Sequence, residues 1–161
     1  MVRKTEMEMA IEERLKSLLS EDIVEITIPK ERRISIKIRP NALKKAISNL
    51  VNNLGLKHLS TITGVDLGAD LEVIYHLVYE GAVVISLRLT VSKEGPSIES
   101  ITELIPGSML YEREVHDMFG IKFDGHPDLS PLILPEQWPT NIHPLRKEHD
   151  LEKIKNLIFK D

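Results

Sequence analysis

Four of the six histidines in this 161-residue chain fall between His116 and His149, and Asp117, Asp124 and Asp128 lie near them. Imidazole and carboxylate together can hold zinc or another divalent cation. The spacing argues against that chemistry. There is no His-Glu-x-x-His pair, the intervals are irregular, and His126 and His143 each precede a proline. A His-Pro step in a loop reads better as a turn whose imidazole bonds to backbone, so no metal site is expected. The alternative reading is a stand-alone metal-dependent enzyme built on this His/Asp-rich stretch. Nucleophilic chemistry has even less to work with. The chain has no cysteine and no Gly-x-Ser-x-Gly elbow, and Ser108, after Pro106-Gly107, is explained by helix capping. No glycine loop suited to phosphate is present; turns suffice for Gly64, Gly68 and Gly81.

The densest charge lies in Tyr111-Glu112-Arg113-Glu114-Val115-His116-Asp117-Met118-Phe119-Gly120. On a helix, Tyr111, Val115, Met118 and Phe119 form an apolar stripe. Glu112 and His116, and likewise Arg113 and Asp117, are four apart on the other side, where they are neighbours. Exposed pairs of this kind contribute only about 0.2–0.5 kcal/mol each. Such a face is either solvated surface or a contact with a partner.

The elements that position these residues can be read from periodicity. Ile11, Leu15, Leu18 and Leu19 predict an amphipathic helix over about residues 5–19. Val24, Ile26 and Ile28, then Ile34, Ile36 and Ile38, predict two short strands joined by a turn over Pro29 to Arg33. Leu43, Ala46, Ile47, Leu50, Val51 and Leu54 form a second helix that Gly55 stops. A short strand is expected near His58 to Thr63. A hairpin should follow, from Leu71–Tyr79 and Ala82–Val91 around Glu80 and Gly81, with Ile74, Val78 and Val84 hinting at cover on both faces. Lys93 to Ser97 reads as a loop. Ser100 and Glu103 have capping-box spacing for one helical turn before Pro106. Ser108 caps a helix over Met109–Phe119, which Gly120 ends. Five of the nine prolines then lie between Pro127 and Pro144. This low-periodicity stretch also carries Leu129, Leu132, Ile133, Leu134, Trp138 and Leu145, too apolar for a disordered tail. A long irregular loop of this kind tends to be functional or bound to something. A last short helix is expected at about Asp150–Phe159. The fold class is α+β: a small mixed sheet with packed helices (residues 1–120) and an extended Pro-rich C-terminal arm with a terminal helix (residues 121–161).

The length suits one core. A net charge of -4 is a poor match to nucleic acid, which asks for a basic patch. Without cysteine there are no disulfides and no thiolate-held iron–sulfur clusters or zinc, so any electron transfer must run through a partner. No apolar run approaches the roughly 20 residues that span a bilayer. The N-terminus lacks an apolar signal core, which is the expectation for a cytoplasmic protein. The single glutamine, Gln137, amid many Lys and Glu leans towards a thermophile.

Glu-Arg-Glu at 112–114, Asp-Met-Phe-Gly at 117–120, Gly-His-Pro-Asp-Leu at 125–129, Ile133-Leu134-Pro135, Trp138 and His143-Pro144-Leu145-Arg146-Lys147 together form a specific pattern. It resembles the 30-kilodalton subunit family of respiratory complex I and its relatives, the energy-converting membrane-bound nickel–iron hydrogenases. The match is clear over about residues 107–149. Ser130 and Pro131 depart from it, standing where the family usually has basic residues. The short chain and the thermophile lean point towards an archaeal-type member, such as a membrane-bound hydrogenase or sulfane reductase.

The resemblance implies a cofactor-free accessory subunit in the peripheral arm, on the cytoplasmic side of the membrane and attached through other subunits. It implies packing against the hydrogenase-like large subunit, which holds the quinone site or nickel–iron centre, with the iron–sulfur small subunit as neighbour. No chemistry is expected in this chain. The residues expected at that interface are Glu112, Arg113, Glu114, Asp117, His126, Pro127, Asp128, Trp138, His143 and Arg146, with Arg113 and Arg146 as bidentate donors to partner carboxylates.

Overall fold

Apolar residues at period two make the strands, and stripes at i, i+3 and i+4 make the helices. The structure, a computed structural model, describes residues 6–80 and 82–158. In chain order these form α1 (Glu6–Leu19), β1 (Ile23–Lys30), β2 (Arg33–Ile38), α2 (Leu43–Leu54), β3 (His58–Asp66), β4 (Asp70–Tyr79), β5 (Val83–Ser92), β6 (Ser97–Glu99), α3 (Met109–Phe119), β7 (Lys122–Asp124) and α4 (Leu151–Ile158). The first five strands form one mixed sheet in the order β1-β2-β5-β4-β3. Only β2 and β5 run parallel within it. β6 and β7 pair in parallel as a second, two-stranded sheet.

One face of the large sheet is buried. Ile34, Ile36 and Ile38 of β2, Val73, Tyr75 and Leu77 of β4, and Ile85, Leu87 and Leu89 of β5 meet Ile11, Leu15 and Leu19 of α1 and Leu43, Ile47 and Leu50 of α2. Each such side chain contributes about 1.5–3 kcal/mol. That exceeds any helix-propensity term, so this layer holds α1 and α2 in place. The β3–β4 register sets Ile62 beside Tyr75 and Gly64 beside Val73 on the same face, and α3 packs there through Phe119. Ile74, Val78 and Val84 are half-buried on the opposite face. They share it with a chain of contacts from Thr63 through His76 to Ser86 and with the two-pronged Arg88–Glu72 pair.

Several boundaries differ from expectation. β1 runs through Pro29 to Lys30, so the turn shrinks to Glu31 and Arg32. Arg32 takes φ +58 there, and its N–H is accepted by the buried Glu8 carboxylate. β3 extends to Asp66. β6 and β7 lie outside the expected elements; three-residue strands leave no periodic trace. Residue 5 of the first helix, Gly81 of the hairpin turn and Phe159 of the last helix lie outside the described residues. Residues 125–150 contain turns and bends, with neither helix nor strand.

Candidate functional site

A turn at Pro106–Ser108 leads into α3, and Gly120 ends it in the left-handed region at φ +68, its N–H bonded to His116 O at 2.8 Å. Val115 and Phe119 are buried, Tyr111 and Met118 half-buried. Glu112 departs from the expected face. It is fully buried and accepts hydrogen bonds from Ser100 Oγ (2.7 Å), Ile101 N (2.9 Å) and Ser108 Oγ (3.4 Å). Burial pushes its carboxyl above the ordinary 4.5, against the pull of those donors and of His126. The capping-box Glu103 instead pairs with Lys44 at 2.8 Å. Glu112 reaches across from α3 to cap the turn at Ile101, a partnership that local spacing cannot reveal.

The His126 side chain is fully buried 4.0 Å from Glu112. Its Nδ1 accepts Asp128 N–H at 3.0 Å, so in the neutral ring Nε2 carries the proton and donates to Met109 O at 3.1 Å. His143 likewise bonds through Nδ1 to Asp117 O at 3.2 Å. Both His-Pro imidazoles thus tie loop to helix backbone, as the sequence suggests. Among the described residues no three His, Asp or Glu side chains are grouped to hold a metal. Asp124 pairs with Lys122 at 2.8 Å and with Ser97 Oγ.

Arg113 and Asp117, expected as an ion pair, bind separate stretches of the following segment. Arg113 donates to Ser130 O (2.9 Å), Ser130 Oγ (3.0 Å) and Pro131 O (2.9 Å). Asp117 Oδ2 accepts the N–H groups of Leu132 (2.9 Å), Ile133 (2.9 Å) and Leu134 (3.2 Å). The physical reason is that a segment with neither helix nor strand must satisfy its backbone elsewhere, and α3 supplies the partners. Ser130 and Pro131 become the acceptors for Arg113. Arg146 does not present its Nε outward either: it donates to Phe119 O at 2.7 Å, beside Leu145 N to Met118 O at 3.1 Å. Trp138 is half-buried, its Nε1 donating to Ile142 O at 2.8 Å. Glu114, Pro127 and Asp128 are exposed. The ten residues picked from sequence therefore converge on α3 and the segment it holds, and most of their polar atoms act within the chain.

Asp117→Ala should free three amides, at about 1–3 kcal/mol for each donor left without a partner. The expected result is faster hydrogen exchange at Leu132, Ile133 and Leu134, with β4 and β5 amides unchanged; Asp117→Asn, which keeps an acceptor, should fall between.

Sequence reasoning missed Asp66. Its carboxylate meets Lys93 Nζ (2.7 Å), Gly68 N (2.7 Å) and Lys147 N (2.8 Å), pinning the end of the segment to β3. Burial alone would raise its pKa; Lys93 and the two backbone donors overcome that and bring it from 3.8 to about 2. A carboxyl depressed on folding stabilises the native state above its unfolded pKa, and that stabilisation fades as pH falls through the native value. Acid titration should therefore loosen residues 145–149 between pH 4 and pH 2, and Asp66→Asn should remove that step in amide exchange.

Residues 36–155 match the family described as respiratory-chain NADH dehydrogenase, 30 Kd subunit. The chain is 40% identical over 121 residues to an NADH-quinone oxidoreductase subunit from Roseiflexus castenholzii, covering 71% of this chain and 68% of the relative. It is 33% identical over 145 residues to an F(420)H(2) dehydrogenase subunit from Methanosarcina mazei, covering 86% and 89%. In fold it is similar to a chain of the membrane-bound sulfane sulfur reductase, an archaeal respiratory membrane complex. That likeness has a TM-score of 0.79 at 22% identity, over 92% of this chain and 91% of the other. A trypsin-resistant fragment of Nqo5 is similar at TM-score 0.63 and 26% identity, over 74% and 98%.

Proposed function

This chain belongs to the respiratory-chain NADH dehydrogenase 30 Kd subunit family, and on that premise we propose that it is a structural subunit, without a cofactor of its own, in the peripheral arm of a complex I-related membrane oxidoreductase that couples electron transfer to ion translocation. It binds the hydrogenase-like large subunit, with the iron–sulfur small subunit as neighbour, on the cytoplasmic side of the membrane. Residues 1–120 act as the folded body and residues 121–161 as the binding segment.

The observation that carries this reading is the way α3 holds that segment. Arg113, Asp117, His143 and Arg146 fasten it by backbone, and Leu132, Ile133 and Leu145 stand 39%, 54% and 55% exposed along it. Exposed apolar side chains on a fixed scaffold fit a preorganised contact. In this reading the charged signature shapes the contact surface from behind, and Glu114, Pro127 and Asp128 face the partner directly. The absence of cysteine supports a role in which partners carry the iron–sulfur clusters. Among the described residues no helix is long and apolar enough to cross a membrane, which fits attachment through other subunits.

Affinity purification from gently solubilised membranes tests the proposal. The expected result is co-purification with a hydrogenase-like large subunit and a cluster-bearing small subunit. Recovery of the chain alone, or stoichiometric bound metal with a turnover that His126→Ala abolishes, would sink it.

A further inference from the structure

Between the C-terminal half of α3 and the facing segment lies a cavity of about 370 Å³, within the roughly 300–1,000 Å³ range of ligand sites. The polar side chains of its lining are His116, Asp117, Glu136, Trp138, Thr140 and His143. Asp117 and Glu136 bring carboxylates, and the three N–H groups bound to Asp117 all go to Oδ2. His116 and His143 each point Nδ1 at a carbonyl, of Ile121 at 2.9 Å and of Asp117 at 3.2 Å. A carbonyl only accepts, so Nδ1 carries the proton, and the neutral ring has a lone pair at Nε2. Burial, with Arg146 close by, holds His143 towards that neutral form, against the hydrogen bond to Asp117 O. Trp138 has its N–H on Ile142 O and so contributes its ring. No lysine or arginine is among the described lining residues. The nearby Arg113 and Arg146 are tied to the carbonyls of Ser130, Pro131 and Phe119.

Two carboxylates, imidazole lone pairs and an indole ring complement a flat cation rich in donors. We propose that this cavity receives the guanidinium of an arginine from a partner protein, a proposal that rests on the partner-binding reading above. Guanidinium offers five donors in one plane and stacks on aromatic rings, which an ammonium group does less well. A protein source is favoured because Leu132 and Ile133, exposed on the segment that forms one wall, give a polypeptide an apolar rim to cover.

Trp138 is the only tryptophan, so its emission in the full-length chain reports on the cavity. Titration with N-acetyl-arginine methylamide should shift it saturably, while the norleucine analogue should not. Glu136→Gln should weaken the arginine response about tenfold without moving the melting temperature. In solubilised membranes, Glu136→Lys should release the chain from partners that retain the wild type. Equal responses to the two amides, or Glu136→Lys retained as firmly as wild type, overturns the arginine assignment. Wild-type chain migrating alone overturns the subunit reading instead; an arginine-selective Trp138 response would still support the cation-binding cavity.

Discussion

Gly64→Ala should destabilise the chain by about 3 kcal/mol, near the top of the usual cost of overpacking, and lower its melting temperature by roughly 10 °C. A Cβ at Gly64 would lie 2.4 Å from Phe119 Cδ2 and 2.5 Å from Cε2. Phe119 is 6% exposed and is the last residue of α3, so the helix as well as the sheet holds its ring. Gly120, which follows it, has no space for a side chain either, since a Cβ there would meet the His143 ring at 2.2 Å. Relief by moving α3 off β3 would disturb the segment that α3 carries. Thermal melts of Gly64→Ala, Phe119→Leu and the double variant check this. If Phe119→Leu recovers none of the loss, the clash is not its cause.

Glu112→Ala comes next, at about 2–3 kcal/mol, because it strands the Ile101 N–H in a buried site, at about 1–3 kcal/mol for a lost partner, while the Ser100 hydroxyl falls back on Thr102 Oγ1 at 2.9 Å. Glu112→Gln keeps an acceptor and should cost about 1 kcal/mol at neutral pH, since it also removes a charge that burial disfavours. The sign of the pH dependence follows from the raised carboxyl. The native state holds its proton more tightly than the unfolded chain does. Its contribution to stability is therefore greatest at low pH and declines as pH rises from 4.5 through the native value. Glu112→Gln abolishes that decline. Urea unfolding of both chains from pH 4 to pH 8 should give curves that diverge at the acid end; parallel curves would place the ionisation elsewhere.

These two sites mark where sequence reading stops. Period-two and helical stripes locate α1, α2, α3 and the β4–β5 hairpin because burial of one face leaves a regular trace. The family signature singles out α3 and the segment it holds for the same practical reason: its residues are dense and ordered along the chain. What they do is less legible. Helical spacing places Glu112 beside His116 and Arg113 beside Asp117, but each finds its partner in backbone that is distant in sequence or irregular in shape. Gly64 carries no signal that Phe119 will lie over it. The cavity beside Trp138 depends on Glu136 and His116, which no motif singles out for that role. Side chains that satisfy irregular backbone belong to tertiary structure, and period counting does not reach them.

The parallel pairing of β2 with β5 also dictates the order in which this molecule can be made. β5 sits between β2 and β4, so a chain leaving the ribosome holds two separate hairpins until residue 92 emerges. At about 5–20 residues per second, the 54 residues from Ile38 to Ser92 leave the β1–β2 edge waiting roughly 3–11 s. During that interval Ile34, Ile36 and Ile38 have β1 on one side, no strand on the side that β5 will occupy, and only α1 and α2 to cover them. Chaperone capture should be concentrated in nascent chains of this length and fall away once β5 is available.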